Sequence, residues 1–286
     1  MREIHVNEIT EAVKNMCMDA NYHLGSDVVQ AFQEALSTEE SATGKEVIKQ
    51  LVENAEIATT ERVPMCQDTG MVVAFVELGQ DCRIVGGGLY DAINQGIREG
   101  YREGYLRNSI VGDPLQRQNT GDNTPGVIHL ELVQGDKCTI HITAKGFGSE
   151  NMSRLKMMKP ADGIEAVKDF VIETVRLAGP NACPPMIVGV GLGGNFEKSA
   201  YLAKKSLLRP VGERNSREDI AQFENEMLDK INQLGLGPQG MGGRTTALDV
   251  HVEVYATHIA GLPVAVNIQC HASRHKTTVL SGINGQ

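Results

Sequence analysis

The chain has 286 residues, 41% hydrophobic and 22% charged, ordinary proportions for a globular protein with enough length to bury a core. A formal net charge of -9 without a basic tract, aromatics at 4% and no tryptophan argue against nucleic acid, an anionic membrane surface, or recognition by aromatic stacking. No run approaches the ~18 apolar residues of a membrane span, the first residues lack the apolar core of a secretory signal, and six cysteines are too few for a disulfide scaffold. A reducing, cytoplasmic compartment is the expectation, where loop cysteines serve metals or catalysis more often than staples.

Residues 5 to 60 read as helices. Ile9, Val13, Met16 and Cys17 recur at helical spacing, then Val28, Val29, Phe32 and Ala35, with Ser26-Asp27 as an N-cap. A third helix is expected from Thr43 to Ala58, with Val47, Leu51 and Ile57 on one side. Met71 to Leu78 is a strand by length and β-branching. Gly86-Gly-Gly88 opens a helix carrying Leu89, Ile93, Ile97 and Tyr101, basic at its far end through Arg98, Arg102 and Arg107. Val127–Val133 and Lys137–Thr143 predict a hairpin around Gln134-Gly-Asp136. Cys138, Ile140 and Ile142 alternate onto one face, so Cys138, like Cys17, is expected in the core.

Further helices are expected at 162–177, 195–208 and 217–234, and strands at 186–192, 246–257 and 262–268. Helices and strands mix without a regular βαβ rhythm. The expectation is therefore a single α/β domain over 1–280, with a mixed β-sheet, surrounding helices and a helical N-terminal layer. Residues 281–286 read as a polar tail.

Three cysteines stand apart in loops: Cys66 in Val-Pro-Met-Cys-Gln-Asp-Thr-Gly, Cys183 in Pro-Asn-Ala-Cys-Pro-Pro, and Cys270, which follows an apolar strand and enters a loop with His271, Arg274 and His275. A thiol in positive surroundings is partly thiolate, the form that binds metal or attacks carbon. Three thiolates suit an iron–sulfur cluster with one iron left open to act as a Lewis acid. The residues alone leave open three unrelated thiols, a zinc site, and a nucleophile pairing Cys270 with His271 or His275.

Gly189-Val-Gly-Leu-Gly-Gly-Asn195, between a strand and a helix, resembles a phosphate-cradling loop. No acidic ribose partner follows at the usual distance, and close packing of helix on strand explains the glycines as well. Lys145-Gly-Phe-Gly148-Ser-Glu-Asn151 is either an anion nest or a strand-ending turn. Arg107 suits a carboxylate pair or a helix C-terminus. His258 precedes a turn, as a site residue or a structural one.

Taken together, Val63–Gly70, Asp113-Pro114, Lys145–Asn151, Gly189–Glu197, Lys204–Arg209 and His258–Cys270 span most of the chain. In that order they resemble the α subunit of two-subunit, iron–sulfur-dependent class I fumarate hydratases and their relative, L-tartrate dehydratase. The resemblance implies that Cys66, Cys183 and Cys270 ligate a [4Fe–4S] cluster with one iron not held by cysteine. It implies substrate contacts from Gln67, Asp68, Arg107, the Gly148 backbone and His258, with Asp68 and His258 in catalytic roles. It also implies a separate β subunit, in a heterodimer or heterotetramer, supplying further arginines and a threonine base. Phe147 departs from the family, which more often has a third glycine there, and would narrow the nest. Reversible hydration of fumarate to L-malate is the first expectation. Dehydration of L-tartrate is the alternative, and a cluster-free scaffold subunit is the reading outside enzymes.

Overall fold

The computed structural model describes residues 2–284. In chain order the elements are β1 (Arg2–His5), α1 (Val6–Tyr22), α2 (Ser26–Thr38), α3 (Ala42–Glu61), β2 (Met71–Gly79), β3 (Cys82–Val85), α4 (Leu89–Glu103), β4 (Val127–Val133), β5 (Cys138–Lys145) and α5 (Phe147–Glu150). There follow β6 (Arg154–Met158), α6 (Gly163–Ala178), β7 (Met186–Gly194), α7 (Phe196–Ser206), α8 (Glu218–Asn232), β8 (Ala247–Thr257), β9 (Leu262–Gln269), β10 (His275–Leu280) and β11 (Ile283–Asn284). The class is α/β with mixed sheets and surrounding helices, and α1 to α3 form the expected helical N-terminal region. Among the described residues no helix is long and apolar enough to cross a membrane.

The residues group into two compact units. The first takes the described residues within Met1–Leu24, Ala55–Gly146 and Arg274–Gln286; the second is Gly25–Asn54 with Phe147–Ser273. Each has its own core.

The first unit holds a four-stranded sheet in the order β10-β5-β2-β4 and a small sheet β11-β1-β3. The predicted hairpin does not form. β4 and β5 lie on opposite sides of β2, which is parallel to β4 and antiparallel to β5. The reason is burial: β2 is nearly all apolar and buried through Val76, so it takes a central place with a neighbour on each edge. The turn at Gln134–Asp136 instead receives the end of β2, whose Gly79 and Gln80 donate to Lys137 O and Val133 O at 2.8 Å each. On one face of this sheet Val72, Ala74, Val76, Cys138, Ile140 and Ile142 share a core with Ile9, Val13 and Cys17 of α1 and Ile93, Ile97 and Tyr101 of α4. These are the stripes the helical spacing predicts, each fully buried side chain contributing about 1.5–3 kcal/mol. Of the expected tail, Ile283–Asn284 pairs antiparallel with β1, and 285–286 lie outside the described residues.

The second unit is built on the sheet β6-β9-β7-β8, with β7 parallel to β8 and antiparallel to β9. Val188, Val190, Val250, Val252, Val264, Val266 and Ile268 fill its core with Val171 and Val175 of α6 and Met227 and Ile231 of α8. The glycines of β7 are packing residues: a Cβ on Gly189 or Gly191 would strike the backbone of α7 at Ala203 O or Ser199 O. The phosphate-cradle reading gives way to close helix–strand contact. The alternation of β8 is only partly one-sided, since Asp249 and His251 are as buried as the valines. The segment 212–215 closes that second face: Gly212 N donates to Asp249, and Asn215 Nδ2 to Val252 O.

Candidate functional site

In the first unit the Cys66 loop runs from the end of α3 into β2. Met65 N donates to Asn21 O at 3.0 Å, starting the loop against α1. Thr69 is buried and bonds both ways with Arg107, its hydroxyl accepting from Arg107 N at 2.9 Å and donating to Arg107 O at 3.2 Å. Gly70 closes the turn at φ 81°, a left-handed conformation that favours glycine, with its N–H on Asp68 Oδ1 at 3.0 Å. Tyr101 OH donates to Thr69 O at 2.7 Å. Cys66 and Asp68 emerge half-buried, and Gln67 and Arg107 exposed. The structure thus brings Cys66, Gln67, Asp68 and Arg107 into one loop pair. Arg107 is not at a helix end: α4 stops at Glu103, so the helix-capping reading does not apply.

Arg274 belongs to this loop pair and escaped the sequence reading. Only 1% exposed, it donates through Nη1 to Asn21 Oδ1 at 3.1 Å and to the carbonyl of Asp68, while its own carbonyl accepts from Ala144 N at 3.0 Å. A buried guanidinium needs such acceptors, because desolvation costs several kcal/mol. The sequence signal was a basic residue beside Cys270, read there as part of the thiol's surroundings.

In the second unit the Cys183 and Cys270 loops meet. Cys183 has φ 51° and ψ 66°, left-handed and uncommon for a residue with a side chain, and its N–H bonds Pro180 O at 3.0 Å. His271, directly after Cys270, donates its N–H to Cys183 O at 3.3 Å and holds its Nδ1 3.1 Å from the same oxygen. Gln239, also unforeseen, donates its Nε2 to Pro184 O at 2.7 Å and lies 3.2 Å from His271 Nδ1. Cys270 Sγ donates to Ala272 O at 3.7 Å.

Gly148 sits in α5, not in an open nest, and a Cβ there would come 3.3 Å from Asn181 O, two residues before Cys183. α5 is anchored by Glu150, which accepts from Asn267 Nδ2 at 3.0 Å and pairs with Lys204. His258 is exposed in the turn after β8, where its Nδ1 accepts from Ala260 N at 3.1 Å and so leaves Nε2 to carry the ring proton.

The six cysteines sort by surroundings. Cys17 and Cys138 are fully buried, and burial pushes both thiols up, Cys138 to about 11. Cys82 is raised by burial and by Asp136 and Asp81. Cys66, Cys183 and Cys270 are half-buried on loops. Among the described residues no group of three or more His, Cys, Asp or Glu is assembled that could hold a metal ion. In donor chemistry the three loop thiols fit an iron–sulfur cluster, which takes thiolates, and the buried pair does not.

The sequence profile of the family described as Fumarate hydratase (Fumerase) matches residues 10–279, so the chain belongs to this family of hydro-lyases. It is 42% identical over 274 residues to a Methanocaldococcus jannaschii protein described as "Putative L(+)-tartrate dehydratase subunit alpha", covering 93% of this chain and 95% of that one. It is 33% identical over 279 residues to the L(+)-tartrate dehydratase subunit alpha of Escherichia coli K12, covering 96% and 91%.

Proposed function

We propose that this chain is the α subunit of a hydro-lyase that removes water from L-tartrate and works with a separate β subunit. The observation that carries the reading is that relatives matched along more than nine-tenths of their length bear the tartrate name and the word alpha. This reverses the order expected from sequence, which put fumarate first. The family description keeps fumarate hydration as the second reading.

In the dehydration direction both reactions cleave a C–O bond beside a carboxylate and take a proton from the neighbouring carbon. For tartrate the product is an enol that tautomerises to a 2-oxo diacid. Cys66, Cys183 and Cys270 would hold a [4Fe–4S] cluster. When bound, the iron without a cysteine supplies Lewis acidity toward the leaving hydroxyl, worth several kcal/mol. The chain's own residues bind, orient and move protons. Arg107, exposed and pinned at its backbone by Thr69, would take a substrate carboxylate bidentately. Asp68, beside a proposed ligand and held at its carbonyl by Arg274, would donate the proton to the departing hydroxyl. Gln67 and the N–H of Gly148 would bind substrate oxygens. His258, with its proton on Nε2, would orient the second carboxylate or hydroxyl.

The test is co-expression with the β subunit under anaerobic conditions, with iron counted per chain. Substituting Cys66, Cys183 or Cys270 by Ser should each remove most of the iron, while Cys82→Ser keeps it. Full iron in the Cys270→Ser complex would overturn the ligand assignment.

A further inference from the structure

Sheet edges are usually protected against pairing, by lysine, arginine, proline, bulges or covering elements. In this chain β10 carries Lys276, β6 carries Arg154 and Lys156, and β8 is covered by contacts with α2 and α8. Among the edges of the two four-stranded sheets, β4 is the exception. It is the outermost strand of β10-β5-β2-β4 and reads Val-Ile-His-Leu-Glu-Leu-Val, with no lysine, arginine or proline. Its register with β2 is unbroken from Val127 to Val133, so no bulge turns it away. Ile128 packs against the unit's core, but Leu130 and Leu132 on the same face remain 44% and 65% exposed.

The order of residues selects the occupant. Laid antiparallel to itself about Leu130, the strand sets Val127 against Val133, Ile128 against Leu132, His129 against Glu131, and Leu130 against its own copy. Opposed residues share a face, so the two His129–Glu131 pairs fall on one side and the leucines and isoleucines on the other. The His129 ring is stacked on Phe75 with centroids 5.0 Å apart, which holds the imidazole on the side where Glu131 of the second copy would meet it. In-register parallel pairing would instead oppose glutamate with glutamate, which is unfavourable.

We propose that β4 pairs antiparallel with β4 of a second copy of this chain, on a two-fold axis through Leu130, joining two four-stranded sheets into one of eight strands. The contact is isologous and therefore closed: each copy uses its β4 edge in the same pairing, so this contact does not propagate.

The register makes the test specific. Two cysteines at position 130 would lie about 5 Å apart at Cβ, whereas two at position 127 would lie about 20 Å apart along the strands. The full chain, purified with its β subunit, is made as Leu130→Cys and Val127→Cys and treated with a mild oxidant. We expect Leu130→Cys to give a product of twice the chain mass at least tenfold faster than Val127→Cys or the unsubstituted protein. Leu130→Lys should leave one α chain per particle by light scattering where the parent has two, and Val279→Lys on β10 should not. Equal cross-linking rates at 127 and 130, or a Leu130→Cys product joined to the β subunit, would overturn the proposal. The cross-linking result decides it alone if Leu130→Lys does not fold.

Discussion

Gly70 shows how much of the first unit's loop rests on single positions. Its φ of 81° and its contact with β5 both forbid a side chain, since a Cβ would lie 2.7 Å from the Ala144 carbonyl carbon. Gly70→Ala should cost about 1–3 kcal/mol in urea unfolding and lower activity further, because the same turn aims Cys66 and Asp68. Glu39 is a second such position. Burial alone would raise its carboxyl, but the N–H groups of Arg244, Ser41 and Thr245 bring it down to about 2. Its folded pKa lies below the unfolded one, so its stabilisation is complete above about pH 5 and is lost as pH falls through about 2. Glu39→Ala should cost about 1–3 kcal/mol at neutral pH by stranding those donors. The gap between parent and variant, measured by urea midpoints, should narrow from pH 5 to pH 2; a constant gap would show that the ionised form is not what matters. Neither residue was legible in the sequence. Glu39 and Arg244 are 205 positions apart, and only the fold makes the carboxylate a cap for that loop.

At the scale of elements, apolar runs were readable and their partners were not. β7 and β9 stand out because both faces are buried, as in a strand inside a covered sheet. β1, β3, β6, β10 and β11 were missed: each is short or polar and is defined by pairing with distant residues, as Arg2 with Cys82 and His275 with Thr143. The hairpin between β4 and β5 failed for the same reason, since turn chemistry is local and β2's claim on the middle of the sheet is not. The join between α7, α8 and β8 makes a measurable case. Glu224 of α8 is fully buried and accepts from Arg209 Nη1 at 2.6 Å, Asn215 N at 2.9 Å and Val252 N at 2.8 Å. Removing one partner of a buried ion pair strands the other, so Glu224→Ala should cost about 3–5 kcal/mol. Glu224→Gln, which keeps an acceptor, should cost clearly less in the same denaturation series. Equal losses would place the stability in packing rather than in the hydrogen-bonded charge.

For the whole chain, the family was legible because its motifs are loops with fixed chemistry, and the proposed preference for tartrate was not. The residues that distinguish L-tartrate from L-malate need contact only one extra hydroxyl, and no motif quoted from the sequence encodes that contact. A site built to hydrogen-bond a substrate hydroxyl rejects the analogue lacking it by large factors, whereas a merely roomy site discriminates weakly. A cluster with an open iron would also make the enzyme sensitive to air. Aerated complex should lose activity and recover it with ferrous iron and reductant, and activity unchanged by air and chelator would argue against the cluster. The most direct measurement is kcat/KM of the anaerobically prepared complex on L-tartrate, L-malate and fumarate side by side. Dehydration of L-tartrate is expected with kcat/KM at least tenfold above that for either partner of the fumarate–malate pair. A preference for fumarate or L-malate would contradict the tartrate reading, and no turnover of any of the three by an iron-loaded complex would contradict the hydro-lyase itself.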